Sequence, residues 1–180
     1  MVYTTKELLA NGYSEYSIRN SVKNGTLFLI EHGIYSDEPN PLVDEIYMCK
    51  KYPNAILTGF SAFVFHDLTD FIPDKFYFVT EQHSYPIRRK DVVQSYQNES
   101  TIYIGATKVQ YDDGFVKVYD LERTLIELVR CKGKYPPELF YDVIKSFRKR
   151  VDELDFYKLN DYIKHFKNRS VILQRIKELI

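Results

Sequence analysis

Four residues at helical spacing, Tyr16, Arg19, Asn20 and Lys23, carry side chains suited to recognition chemistry. Arginine can grip the edge of guanine with two hydrogen bonds, asparagine can pair with adenine in the same way, and lysine neutralises a phosphate. Ile18 and Val22 interrupt the set one turn apart, so they share a face and turn it inward while the four polar residues point outward. His32 and Tyr35 follow near a tight turn and complete a candidate DNA-contact set. The same pattern also fits a helical hairpin that merely packs and exposes a solvated polar face.

The elements that must hold these residues are legible nearby. Thr4 and Glu7 have the spacing of a capping box, which predicts a short helix carrying Leu8 and Leu9. Asn11-Gly12 stops that helix, because both residue types accept a left-handed backbone at a helix end. Ser14 caps a second helix, which ends at Gly25. Leu27 and Leu29 alternate as in a strand, and His32-Gly33 turns the chain into Ile34-Tyr35. Two helices about a short turn, followed by a β-wing, predict a winged helix-turn-helix whose second helix enters the major groove.

Charge is distributed unevenly. The 180 residues carry 25 basic and 25 acidic side chains. Residues 1–38 hold three basic and five acidic residues, a net of −2; residues 39–113 hold seven and ten, a net of −3; residues 114–180 hold fifteen and ten, a net of +5. The predicted DNA module is thus mildly acidic, and phosphate neutralisation must come from a few well-placed cations or from the basic C-terminal part. Lys145, Arg148, Lys149 and Arg150 form the candidate basic contact surface there, although cations in the last turn of a helix also suit its dipole. No apolar run reaches the roughly 20 residues needed to span a membrane. The start has no signal-peptide pattern, and Cys49 and Cys131 lack metal-ligand spacing, so a reduced, cytoplasmic protein is expected.

The polar, proline-bearing stretch Asp37 to Pro41 predicts a division into residues 1–38 and 41–180. Beyond it, Leu42 to Tyr52 reads as a helix, Ala55 to Leu57 as a short buried strand, and Thr58 to Leu68 as a helix buried over most of its surface. Lys75 to Thr80, Val92 to Tyr96, Ile102 to Ile104, Lys108 to Tyr111 and Phe115 to Tyr119 read as strands, with Asp113-Gly114 as the hairpin turn. Asp120 caps a helix through Arg130, and three helical patterns close the chain. The predicted fold is mixed α/β (α+β): an N-terminal winged helix-turn-helix, then a larger mixed α/β domain ending in a helical tail.

No enzyme motif is present. The sequence has no glycine-rich phosphate loop, nucleophile elbow or H-E-x-x-H pair. His32, His66, His83 and His165 are scattered. Asp67, Asp70, Asp74 and Glu81 sit at irregular spacing and read as solvated loop acids rather than a metal site. Arg88-Arg89-Lys90 reads as a solvated loop or strand-edge guard. A non-enzymatic protein without a cofactor is expected; a metal-dependent nuclease built from dispersed acids is a further alternative.

Four stretches together resemble the AbiEi-type antitoxins, the antitoxin and regulator half of type IV toxin–antitoxin systems that act in abortive infection. TTKELLANGYSEYSIRNSVKNGTLFLIEHGIY is similar to the family's winged-helix segment. AILTGFSAFVFHDLTDFIP and TIYIGATKVQYDDGFVKVYDLERTLIEL resemble two further blocks, and the tail from Pro136 fits the family's C-terminal helices. The resemblance implies an operon autorepressor that binds its own operator DNA and counters a nucleotidyltransferase-like toxin without a stable complex. A homodimer or cooperative binding to DNA repeats is expected, because one winged helix reads a short site. The sequence departs from the family in the absence of a full helix before Thr4, in His32 where an Arg often precedes the wing glycine, and in the acidic N-terminal charge. The other reading is a protein-interaction module that works through the basic C-terminal helices. The Asp120 to Leu125 stretch, DLERTL, reads as a helix cap with packing and an ion pair at Arg123.

Overall fold

The chain begins with a strand that the sequence pattern does not announce. In the computed structural model, which describes residues 1–112 and 114–180, β1 (Val2–Thr4) precedes α1 (Thr5–Ala10), α2 (Glu15–Lys23), β2 (Phe28–Glu31) and β3 (Ile34–Ser36). The three strands form an antiparallel sheet of order β1-β3-β2, with Tyr3 opposite Tyr35 and Phe28 opposite Ser36. Leu8, Ile18 and Leu27 are buried together, with Tyr3, Val22 and Tyr35 packed against them. Leu29 departs from the expected alternation. It is 55% exposed, and the register shifts between Leu29 and Glu31, so the strand's apolar face is broken by an irregularity.

α3 (Glu45–Lys51) is shorter than expected. Asp44 caps it by accepting from the Tyr47 amide at 2.7 Å, so Leu42 and Val43 lie ahead of the helix and are exposed. Two compact units make up the chain. The first is Met1–Asn54 with Gln110–Val116, and the second is Ala55–Val109 with Lys117–Ile180. The proline-bearing break therefore lies inside the first unit, because α3 is tied back to it. Lys50 Nζ donates to the Val2 carbonyl and pairs with Glu7 at 3.2 Å; Lys51 Nζ pairs with Glu31 at 2.6 Å; and the Tyr47 hydroxyl donates to Glu31.

In the second unit, β4 (Ile56–Leu57) runs antiparallel to β5 (Phe76–Glu81), which pairs in parallel with β6 (Val92–Gln97). β7 (Ala106–Tyr111) and β8 (Gly114–Tyr119), whose joined ends at Gln110–Val116 count with the first unit, complete a sheet of order β6-β5-β4-β8-β7. The expected turn at Asp113-Gly114 involves Asp113, which lies outside the described residues. Gly114 is the first residue of β8, and a Cβ there would meet Ile46 Cγ2 at 2.5 Å, so glycine serves a close approach at this position. The expected strand at Ile102 to Ile104 is not formed. α5 (Glu99–Ile102) stands there instead, capped by the Asn98 side chain on the Ser100 amide at 3.1 Å. Its carbonyls turn toward a buried arginine rather than toward a neighbouring strand.

α4 (Gly59–Phe65) ends earlier than expected, with His66 at its C-cap and Asp67 in a left-handed conformation at φ 54°. Phe63 is fully buried, but Phe60, Val64 and Phe65 are only half-buried. α6 (Leu121–Arg130), α7 (Pro137–Lys149), α8 (Phe156–Ile163) and α9 (Arg169–Leu179) form the helical tail. Phe63, Leu125, Leu128, Phe140, Phe147 and Ile163 lie in its main apolar core. No helix among the described residues is long and apolar enough to cross a membrane.

His66 gives this unit a pH dependence. Its Nε2 donates to the Tyr119 carbonyl at 2.6 Å, and burial holds its pKa below the ordinary value of 6.5 although that bond and Asp120 favour the cation. The folded state therefore keeps His66 neutral at a pH where the unfolded chain takes up a proton. Stability is complete above about pH 6.5 and declines as pH falls, by up to about 1.4 kcal/mol per unit for this one group. Thermal unfolding between neutral pH and about pH 5.5 is expected to show that slope, and His66→Gln is expected to flatten it. An unchanged slope in the variant would assign it to other groups.

Candidate nucleic-acid interface

Backbone capping fixes where α2 stands. Thr4 and Glu7 satisfy each other's backbone amides, with Glu7 Oε2 accepting from the Thr4 amide at 2.7 Å and Thr4 Oγ1 accepting from the Glu7 amide at 3.1 Å. Burial alone would raise the Glu7 pKa, but the Thr4 amide and Lys50 together hold it below the ordinary carboxylate value. Gly12, at φ 88°, then lets the Tyr13 amide return to the Leu8 carbonyl at 3.0 Å. Ser14 caps α2 through the Ser17 amide at 3.1 Å, and Ser17 Oγ accepts from the Ser14 amide at 2.7 Å. The two helices are thereby held about a four-residue turn, with Ile18 aimed inward.

The outward face of α2 carries Tyr16, Arg19, Asn20 and Lys23, all exposed. Arg19 pairs with Glu15 at 3.3 Å, one turn earlier, with both side chains about three-quarters exposed (78% and 74%). Such a pair contributes little in water, so Arg19 can leave it at small cost. Glu15 nevertheless brings a negative charge to a face that would meet phosphate. The hairpin turn is His32-Gly33, with His32 exposed and the Gly33 carbonyl accepting from the Thr5 amide at 3.0 Å. That bond ties the turn to the start of α1. Tyr35 is placed differently from the others: it is half-buried against the Leu8, Ile18 and Leu27 cluster, so much of its ring is used in packing.

Sequence reasoning missed the part played by α3. Lys50 and Lys51 neutralise Glu7 and Glu31, two of the five acids counted in residues 1–38, from a segment assigned to the other domain. The adjacent lysines in the last turn of α3 were a visible signal, but their partners are distant in sequence.

The C-terminal candidates divide into two kinds. Lys145 and Lys149 are exposed on α7. Arg148 Nε donates to the Leu179 carbonyl at 2.7 Å. Arg150 forms a fork with Glu153, at 2.8 and 2.7 Å, and donates to the His66 carbonyl. These two arginines hold helix ends in place, which leaves a weaker basic surface than the sequence count suggested. Arg89, of the Arg88 to Lys90 triplet, is likewise paired with Asp91 at 2.7 Å. Among the described residues no group of three or more His, Cys, Asp or Glu is placed to hold a metal ion. Cys49 is buried and Cys131 is half-buried; burial and Glu127 raise the Cys131 thiol above its ordinary pKa, which disfavours the reactive thiolate.

The DLERTL stretch forms the most heavily bonded centre in the second unit. Arg123 has no solvent exposure. Its guanidinium donates to Glu127 Oε1 at 2.9 Å, to the Thr101 and Ile104 carbonyls at 2.8 Å each, and to Gln97 Oε1 at 2.5 Å. It also lies 4.4 Å from the Tyr119 ring centroid and 4.8 Å from that of Phe166. Asp120 caps α6 through the Arg123 amide at 2.9 Å and accepts from the Tyr162 hydroxyl at 2.9 Å. Gly105, at φ 73°, passes so close that a Cβ would stand 2.5 Å from Arg123 Cβ. Every strong donor of Arg123 is engaged inside the fold, so the stretch is structural.

No protein-family model and no curated protein matches the chain. Among solved structures, the RV2827C protein from Mycobacterium tuberculosis is similar, with a TM-score of 0.64 at 15% identity. The alignment covers 99% of this chain and 71% of that one. At this identity the likeness is one of fold.

Proposed function

We propose that the chain is a non-enzymatic, cytoplasmic DNA-binding regulator: an antitoxin of the AbiEi type that represses its own operon and counters a nucleotidyltransferase-like toxin. The N-terminal unit acts as a winged helix-turn-helix, with α2 in the major groove and the His32-Gly33 turn as the wing tip. The observation that carries this reading is the arrangement of α2. Its inward face is anchored by Ile18, while Tyr16, Arg19, Asn20 and Lys23 all remain exposed on the other side. The pairing of β1 with β3 and the Thr5–Gly33 bond tie the start of α1 to the hairpin, and the Leu8, Ile18 and Leu27 cluster joins α2 to them, an arrangement that groove recognition can use. The antitoxin part of the proposal rests on the sequence resemblance.

A reporter gene behind the DNA upstream of this gene tests the regulator directly. Co-expression of the protein is expected to repress the reporter, and Arg19→Ala with Lys23→Ala together are expected to abolish repression. Because both side chains are exposed, the double variant is expected to keep its melting temperature to within about 2 °C. Repression that survives the double variant would remove α2 as the reading element.

A further inference from the structure

A second basic feature lies wholly within the second unit and plays no part in the proposed DNA contact. An open cleft of about 600 Å³ is lined by the end of β6, the residues leading into α5, the end of α6 and the start of α9. Among its described lining residues there are three cations, Arg130, Lys167 and Arg175, together with His165, and there is no aspartate or glutamate. A neighbouring cleft of about 460 Å³ shares Arg130 and Arg175 and adds Lys132 together with one acid, Glu178.

The charge of this cleft is not neutralised from beneath. Glu127 is buried and accepts from Arg123 at 2.9 Å and from Arg130 at 2.6 Å, so one carboxylate is divided between two guanidinium groups. That triad retains a net positive charge, and Arg130 is about one-third exposed (32%). Arg130 is also held over the Phe166 ring at 4.3 Å, which fixes the guanidinium instead of leaving it to sweep through solvent. Lys167 and Arg175 are exposed and form no ion pair among the described residues. Like charges gathered around one concavity repel one another, and an anion bound between them removes that repulsion.

The rest of the lining adds shape and hydrogen bonding. Phe166 and Ile172 are buried apolar residues of the cleft, and the exposed Tyr96 is part of its lining. Gln97 and Asn98 supply amide groups. A volume of this size suits a small ligand better than an extended duplex, and arginine with lysine is the pairing that receives phosphate oxygens. An aromatic side chain beside such a phosphate site offers a stacking face for a planar base.

We propose that this cleft binds a small phosphorylated ligand of the nucleoside polyphosphate class. Its phosphates lie between Arg130, Lys167 and Arg175, and its planar part lies toward Tyr96. The site is separate from the α2 face, so the proposal does not depend on the DNA-binding reading.

Calorimetric titration of the full chain with ATP, GTP and inorganic tripolyphosphate tests it. At least one nucleotide is expected to bind, more tightly than tripolyphosphate and more weakly as salt is raised. Lys167→Glu with Arg175→Glu is expected to weaken that binding by about tenfold or more. A second double variant, Lys145→Glu with Lys149→Glu, makes the same change in net charge on α7 and is expected to leave binding within about twofold. Both variants alter exposed residues, and unfolding curves confirm that each is folded. Absence of binding by all three probes would overturn the proposal. Equal weakening in the two double variants would also overturn it, by reducing the effect to overall charge. Loss of duplex-DNA affinity in the Lys167/Arg175 variant without any nucleotide binding would reassign the cleft to DNA phosphate and sink the small-ligand assignment.

Discussion

Replacing Arg123 with methionine is expected to destabilise the second unit by about 3–5 kcal/mol, the range for removing one partner from a buried charge network. The length and apolar stem of methionine fill much of the space, so the loss comes from what the guanidinium had satisfied. The Thr101 and Ile104 carbonyls lose their donor, and those two residues belong to the turn that carries α5 into β7. Gln97 at the end of β6 loses its bond as well, so the whole stretch from the end of β6 to the start of β7 is released from α6. Glu127 keeps Arg130, which limits the damage on the α6 side. For a chain of this length the change corresponds to a drop in melting temperature of roughly 6–20 °C. Arg123→Lys keeps the charge but not the fork, and is expected to fall between the two proteins. A loss of less than about 1 kcal/mol in the methionine variant would mean that the network is balanced by its own desolvation cost.

Arg19→Ala is expected to weaken binding to the DNA upstream of the gene by about 5- to 150-fold, corresponding to 1–3 kcal/mol for one bidentate base contact. The same variant is expected to bind an unrelated duplex nearly as well as the parent, since a base-reading side chain contributes little to non-specific affinity. Lys23→Ala should behave differently. It is expected to weaken both duplexes alike and to lower the salt dependence by about one phosphate. The contrast separates reading from steering on a single helix. Among the described residues the Arg19 side chain forms one ion pair, the exposed one with Glu15, so a change in fold is not expected to confuse the result. Equal weakening of both duplexes by Arg19→Ala would move Arg19 from base contact to phosphate contact.

The local signals in the sequence were the reliable ones. Thr4 with Glu7, Ser14 and Asp120 all cap helices as read, because an N-cap is decided by a side chain and an amide two or three residues away; Asp44 caps α3 by the same rule, although the helix was expected to start at Leu42. The inward placement of Ile18 and the outward placement of Arg19, Asn20 and Lys23 follow from helical period alone. What could not be read depended on distant partners. β1 exists because β3 offers it an edge, and three residues carry no period of their own. α3 belongs to the first unit because Glu7 and Glu31 receive Lys50 and Lys51. Ile102 to Ile104 has strand-forming residues, yet Asn98 starts a helical turn and Arg123 collects its carbonyls. The basic cleft was also out of reach, since Arg130 lies far in sequence from Lys167 and Arg175 and meets them only in the fold.

The proposed DNA-reading surface is α2 with the His32-Gly33 turn. Its most direct test is a titration of the protein against the DNA upstream of its own gene and against an unrelated duplex of equal length, over a series of salt concentrations. Tighter binding to the upstream DNA is expected, with a linear fall of log affinity against log salt whose slope counts the phosphates engaged. Equal affinity for both duplexes, or binding to neither, would contradict this and leave α1, α2 and the hairpin with a structural role alone.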